Sequence, residues 1–62
     1  MIRLHLLSEK RYSGGEKVLE FIKIDNEKVA ARIEMTIKSK DDPLYDVFHL
    51  GKDYRLEFTE IE

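Results

Sequence analysis

The chain of 62 residues contains no cysteine and no tryptophan, and it has only one proline and three glycines. The lack of cysteine excludes a disulfide, a thiolate zinc site and a cysteine nucleophile, and it is typical of proteins in a reducing compartment. Few prolines and glycines, together with β-branched and aromatic residues, indicate an ordered chain even though 39% of the residues are charged.

Long apolar runs and an excess of one charge are absent as well. Charged residues interrupt every apolar stretch, so we expect neither a membrane span nor a signal peptide, and we expect a cytoplasmic protein. The 11 basic and 13 acidic side chains are interleaved and give a net charge of −2. This balance provides no broad positive field that would attract a nucleic-acid backbone.

The short length limits the stability of the fold. A chain of 62 residues is expected to form a single domain, residues 1–62. Burial of apolar surface stabilises a domain of this size by about 90 kcal/mol, and the conformational entropy of ordering the chain costs about the same. The domain must therefore pack efficiently, or gain stability by binding a partner or a second copy of itself.

Four segments show the two-residue periodicity of strands: residues 2–7, 17–24, 29–38 and 54–61. The first, third and fourth have one apolar face, which is typical of half-buried antiparallel strands. Ser13, Gly14 and Gly15 predict a turn between the first two segments, and residues 25–28 predict a short hairpin connection.

The second segment differs because both of its faces are partly apolar. Leu19 and Phe21 alternate with Val18, Ile22 and Ile24. Either a bulge near Glu20 turns both sets inward, or the strand is covered on both sides. The second alternative predicts a homodimer joined through the second face or the free edge of this strand.

A short helix is predicted between the third and fourth strands. Asp42 is a favourable N-cap, Pro43 suits the first helical position, and Gly51 suits the helix end. One helix face carries Leu44, Val47 and Phe48. The sequence thus predicts an α+β fold, a four-stranded, mainly antiparallel sheet with one short helix in the order β-β-β-α-β. The predicted core comprises Leu4, Leu6, Phe21, Ile33, Met35, Leu44, Phe48, Leu56 and Phe58.

No group of residues predicts catalysis or metal binding. Asp42, Asp46 and His49 could meet on one side of the helix and hold a divalent metal, but an N-cap and a solvated face explain them. His5 has no evident partner to orient it, so we interpret it as a surface residue. Residues 13–15 lead into a strand and not a helix, so they form a turn and not a phosphate loop. We expect no metal, no cofactor and no enzymatic activity.

Seven residues are candidates for an interaction surface. Lys10, Arg11 and Tyr12, with Lys17 after the turn, form the one basic and aromatic cluster, which could contact phosphates and stack on bases. Neighbouring acidic residues favour a solvated hairpin tip instead. Val18, Phe21 and Ile22 are the candidates from the second strand.

Three stretches together resemble a group of short phage-encoded proteins. They are residues 11–18 (RYSGGEKV), residues 33–37 (IEMTI) and residues 48–59 (FHLGKDYRLEFT). The group has patterns like RYGGGEKV, LxLTI and FxPGKEYYVDFT, and Leu50 stands where its members often have proline. The matched motifs are structural, so the resemblance implies an origin in a phage or prophage and assigns no catalytic residue.

These observations favour a small non-catalytic phage or prophage protein that binds another protein, for example to modulate a host protein. The alternatives are a nucleic-acid-binding accessory protein, which would use the basic hairpin tip, and a structural component of the virion. A domain too small for a deep cleft can still occupy the surface of a partner, which is why protein binding is the preferred hypothesis.

Overall fold

The computed structural model describes residues 2–61 and shows one antiparallel sheet of four strands. The strands are β1 (Ile2–Arg11), β2 (Lys17–Asp25), β3 (Lys28–Ile37) and β4 (Asp53–Leu56). Their order in the sheet is β3-β2-β1-β4, so the first three form a meander and β4 returns to pair with β1. The molecule is flat, with extents of 37 × 34 × 14 Å.

The predicted helix is wrong, and within residues 2–61 the fold is all-β rather than α+β. Residues 38–52, here called the covering segment, form a series of turns instead. The predicted cap does operate locally, since the Leu44 amide donates to Asp42 Oδ1 at 2.8 Å and the Tyr45 amide donates to the Asp42 carbonyl at 2.9 Å. No helix of the described chain could cross a membrane.

Hydrogen bonds to side chains of the sheet explain why the turns do not continue as a helix. An α-helix would join the Tyr45 carbonyl to the His49 amide, four residues later. In the structure, the Tyr45 carbonyl accepts a hydrogen bond from Lys17 Nζ at 2.5 Å, and the His49 amide donates to the Tyr54 hydroxyl at 2.6 Å. Both groups are thus satisfied by side chains of the sheet, and a two-turn helix contributes little stability of its own to oppose this.

The sheet contains a β-bulge in β1 at Leu7. Leu6 lies opposite Phe21, whereas Ser8 lies opposite Glu20, so Leu7 is the additional residue. The bulge predicted within the second strand near Glu20 is therefore wrong: β2 is regular there, and the bulge lies in the neighbouring strand β1. Before the bulge the even-numbered residues Leu4 and Leu6 point inward, whereas after it the odd-numbered residues Glu9 and Arg11 do. Strand β1 also extends to Arg11, beyond the predicted end at residue 7.

A second bulge lies in β3 at Ala30. Lys23 lies opposite Ala31, and Ile24 lies opposite Val29, which leaves Ala30 without a partner on β2. Val29 is therefore on the same face as Ile24, away from the core, although strict alternation places it inward. Both side chains are more than half exposed.

Strand β2 keeps a regular alternation and has no free edge, because β1 and β3 flank it. Lys17, Leu19 and Phe21 point to the face that carries the core, here called the inner face. Val18, Glu20 and Ile22 point to the opposite, outer face. Ile22 is nevertheless buried within one chain, beside His5 of β1 and Arg32 of β3. The predicted contact through a free edge of this strand is therefore wrong.

The core lies between the inner face of the sheet and the covering segment. It comprises Leu4, Leu6, Leu19, Phe21, Ile37 and Tyr45. Of the predicted core, Leu4, Leu6 and Phe21 are confirmed as buried, and Ile33, Met35, Phe48 and Leu56 are half-buried against it. Leu44 is exposed, because Tyr45 is the residue of the covering segment that points inward.

The fourth strand is shorter than predicted. Leu56 lies opposite Ile2, the first described residue of the chain, so no described residue of β1 lies opposite the residues that follow Leu56. Phe58 was predicted to be in the core, but it lies outside the strand and is 71% exposed.

The hairpin between β2 and β3 gives a test of backbone strain. Asn26 and Glu27 both have positive φ, 50° and 64°, which the two-residue turn requires and which costs a non-glycine residue about 1–2 kcal/mol. Glycine removes this cost but loses about 0.5–1 kcal/mol of entropy. We expect Glu27→Gly to stabilise the protein by about 0.5–1 kcal/mol in urea denaturation, whereas the control Lys28→Gly, in a strand, destabilises it. A lower midpoint for Glu27→Gly would contradict this conformation.

Candidate functional site

The seven predicted interaction residues do not form one site. Arg11, Lys17 and Phe21 belong to the inner face, and Lys10, Val18 and Ile22 belong to the outer face. Tyr12 follows β1 and is exposed. Lys17, Phe21 and Ile22 are buried, so they are not available on the surface of the single chain.

Lys17 is buried and connects the sheet to the covering segment. Its Nζ lies 3.2 Å from Glu9 Oε1, donates to the Tyr45 carbonyl and lies 4.5 Å from the centre of the Tyr45 ring. Arg11 Nε lies 3.3 Å from the second oxygen of Glu9. Two cations of the predicted basic cluster therefore face a carboxylate of their own chain, which reduces their attraction for phosphate.

The carboxylate of Glu9 holds this cluster together. Burial raises its pKa, but the hydrogen bond and charge of Lys17, followed by the charge of Arg11, outweigh burial and lower the pKa below the ordinary value. Glu9 lies on the inner face because of the bulge at Leu7. If the same sequence alternated strictly after Leu6, with no bulge, Glu9 would point to the outer face and Lys17 would be buried without a counter-charge.

Three aromatic rings pack edge to face beside the core. The centre of the Phe21 ring lies 5.3 Å from that of Phe48 and 6.2 Å from that of Tyr54, and Phe48 and Tyr54 are 5.1 Å apart. Edge-to-face pairs at these distances are favourable beyond the area they bury. The cluster thus fixes the end of the covering segment against β2 and β4.

An apolar groove lies next to these rings on the inner face, where the covering segment leaves the sheet open. It encloses about 70 Å³ and is open to solvent. Its lining consists of Leu4, Phe21, Ile33, Met35, Phe48, Tyr54, Arg55 and Leu56. Of these residues only Phe21 was predicted as an interaction residue. The sequence did not reveal the groove because alternation within a strand does not show that β4 pairs with β1, and this pairing places Tyr54 and Leu56 beside the groove.

A polar cluster lies on the outer face, where β1 pairs with β4. Asp53 accepts hydrogen bonds from Arg3 Nε at 2.9 Å and Nη2 at 2.6 Å, and its other oxygen lies 2.7 Å from His5 Nδ1. The hydrogen bond with His5, and then that with Arg3, lower the pKa of Asp53 below its ordinary value. A shallow depression of about 240 Å³ adjoins the cluster and also contacts Ile22 and Ile24.

Asp53 is the orienting partner of His5 that the sequence did not reveal. An oriented histidine can act as a general base when a nucleophile or substrate proton lies within reach. His5 makes no hydrogen bond to a hydroxyl group among the described residues. The geometry therefore describes an exposed ion-pair cluster that ties β4 to β1.

The remaining candidate residues, those for a metal site and for a phosphate loop, do not come together in a site. Nowhere in residues 2–61 do three or more His, Asp or Glu side chains lie close enough to hold a metal ion, so Asp42, Asp46 and His49 do not form one site. Residues 13–15 form the turn between β1 and β2, with the Gly15 amide donating to the Tyr12 carbonyl at 3.0 Å.

Comparison with known proteins gives no match to a protein-family model, a curated protein or a solved structure.

Replacement of Phe48 tests whether the aromatic cluster holds the covering segment. Phe48→Ala removes two edge-to-face contacts and part of the groove, and we expect a loss of about 3 kcal/mol in the free energy of unfolding. The matched control is Phe58→Ala, which removes an exposed ring and should change stability by less than about 0.5 kcal/mol. Equal effects of the two replacements in thermal or urea denaturation would contradict this packing.

The ion pair of Asp53 with Arg3 and its hydrogen bond with His5 predict a specific dependence of stability on pH. Because the pKa of Asp53 is lower in the folded than in the unfolded chain, its contribution is present above the ordinary value of 3.8 and is lost as the pH falls through the folded pKa. The difference in urea midpoint between wild type and Asp53→Asn should therefore be largest near neutral pH and vanish in strong acid.

The control for this experiment is Asp46→Asn, because Asp46 is exposed and makes no ion pair among the described residues. Its difference from wild type should vary less with pH. Added salt should also reduce the effect of Asp53→Asn, since the group is exposed. A difference that grows on acidification would show that the assignment is wrong.

Proposed function

We propose that this chain is a non-catalytic protein-binding module, encoded by a phage or prophage and acting in the cytoplasm of a host cell. It binds a partner protein through the apolar groove of its inner face. The observation that carries the proposal is the groove itself, an apolar, solvent-open surface beside a cluster of three aromatic rings packed edge to face.

The size and chemistry of the groove favour a protein side chain as its occupant. Pockets for small molecules enclose roughly 300–1,000 Å³ and contain several polar groups that fix the ligand. This groove encloses about 70 Å³, and Arg55 is the one charged residue in its lining. An aliphatic or aromatic side chain anchored in such a groove, with Arg55 at its rim, is typical of the centre of a protein interface.

The surface area of the chain also supports binding. A compact monomer of this mass exposes about 4,200 Å², whereas this chain exposes 5288 Å². The excess of about 1,100 Å² is comparable to the roughly 800 Å² that one partner contributes to a standard protein interface. A partner that covers the inner face would therefore lower the exposed area of the chain toward the value expected for a compact protein.

The observations favour protein binding over the nucleic-acid alternative. Arg11 and Lys17 both contact Glu9, so the predicted basic tip contains less free positive charge than its sequence suggests.

Origin in a phage or prophage rests on the resemblance of residues 11–18, 33–37 and 48–59 to short phage-encoded proteins. A structural role in the virion would require self-assembly into large particles.

Affinity capture from a bacterial lysate, followed by mass spectrometry, tests the proposal. Wild type is compared with Met35→Lys, which places a charge in the groove, and with the matched control Thr59→Lys, which adds the same charge at an exposed position outside the lining. We expect a specific protein to bind wild type and the control, and to bind Met35→Lys at least about tenfold more weakly.

Circular dichroism melting of each variant establishes that it is folded before capture, and Ile33→Ala provides a second, uncharged change of the groove. The proposal is wrong if the captured protein binds Met35→Lys and Ile33→Ala as tightly as wild type. It is also wrong if the protein is retained on single-stranded DNA in a salt-dependent manner and captures no protein.

A further inference from the structure

The exposed edge of β3 has a pattern that fits a second copy of the same chain. We propose that two copies pair antiparallel along this edge, with Ile33 opposite Ile33 of the second copy, to form one continuous sheet of eight strands. This interface uses the edge of the sheet and goes beyond the groove of the proposed function.

Strand β3 is the long edge of the sheet. It contains ten residues, and among residues 2–61 only β2 pairs with it, whereas the opposite edge strand, β4, contains four. The unpaired backbone groups of an edge can bind another strand, and proteins commonly block long edges with a bulge, a proline or an inward charge. The bulge at Ala30 blocks only the beginning of β3.

The stretch from Ala31 to Ile37 lacks these protections. Its register with β2 is uninterrupted. It has no proline, and its inner face carries no charge, because Ala31, Ile33, Met35 and Ile37 point that way. Arg32, Glu34 and Thr36 point to the outer face. Such a regular edge with one apolar face is suited to pairing.

Charge, together with the number of residues that can pair within Ala31–Ile37, selects one register. Directly opposite residues of an antiparallel pair point to the same face. In a symmetric pair of identical strands, one residue must therefore lie opposite its own copy at the two-fold axis, and the register is said to be centred on that residue. Centring on Arg32 or on Glu34 places identical charges opposite each other. Centring on Met35 places Arg32 opposite Lys38 of the second copy. Centring on Ile33 places Arg32 opposite Glu34 of the second copy, twice by symmetry.

The second copy would also remove an unfavourable feature of the single chain. Glu34 lies directly opposite Glu20 of β2, and like charges at opposite positions are destabilising. Arg32 Nε lies 3.1 Å from Glu20 Oε2, while Glu34 makes no ion pair among the described residues. In the proposed register, Arg32 of the second copy lies opposite Glu34 and compensates its charge.

The inner face is complementary in shape in the same register. Ile33 lies opposite its own copy across the two-fold axis, and the long Met35 side chain lies opposite the small Ala31. Ile33 and Met35 are both half-buried and line the groove. Pairing therefore covers their exposed sides and brings the two grooves together across the axis.

Sedimentation equilibrium on wild type, Arg32→Glu, Glu34→Arg and their mixtures tests the proposal. Wild type should approach twice the 7.4 kDa of one chain. Each single variant places like charges opposite each other at two symmetric positions, so its dimer should dissociate at least about tenfold more readily. An equimolar mixture of the two single variants should restore the dimer, because one copy then carries two acidic and the other two basic side chains.

The double variant Arg32→Glu/Glu34→Arg should also dimerise like wild type, and Lys52→Glu, an exposed charge reversal away from β3, should have no effect. A wild type that stays monomeric across a hundredfold concentration range overturns the proposal. So does a dimer that the single variants leave intact, or one that mixing does not restore. No partner protein is present, so the result is independent of the capture experiment.

Discussion

The hydrogen bond from buried Lys17 to the Tyr45 carbonyl determines how the two layers of this small domain fit together. It attaches the covering segment to the sheet, and Glu9 supplies the counter-charge that a buried ammonium group requires. The bond also uses the carbonyl that would otherwise form a helical turn. Because Leu7 is present between Leu6 and Ser8, the bulge is what keeps Glu9 on the inner face; strict alternation of the same residues would turn it outward. A backbone irregularity in one strand thus permits a buried cation in the next.

Periodicity in the sequence was sufficient to locate the strands and much of the core. Leu4, Leu6 and Phe21 are buried as predicted, since each follows the alternation of its strand. The helix was wrong because the interactions that decide the conformation of residues 38–52 are not local. Lys17 is 28 residues from Tyr45, and local capping and apolar spacing at Asp42 contain no information about it.

The candidate sites depend on strand pairing in a way that composition does not reveal. His5 was interpreted as an isolated surface residue, yet Asp53, 48 residues away, lies directly opposite it on β4. Alternation shows which residues of a strand share a face, but it does not show which strand lies beside which. The apolar character of both faces of residues 17–24 led to the prediction of a bulge in that strand, which is wrong: β2 is regular, and the additional residues, Leu7 and Ala30, lie in the two neighbouring strands.

The two bulges also define where this chain can change length during evolution. Loss of a residue within a regular strand moves every later side chain of that strand to the other face. Loss of Leu7 or Ala30 would instead restore a regular ladder and leave the neighbouring side chains on their present faces. Relatives of this protein can therefore differ by one residue at either position and share the same core, and their sequences should be aligned with a gap there.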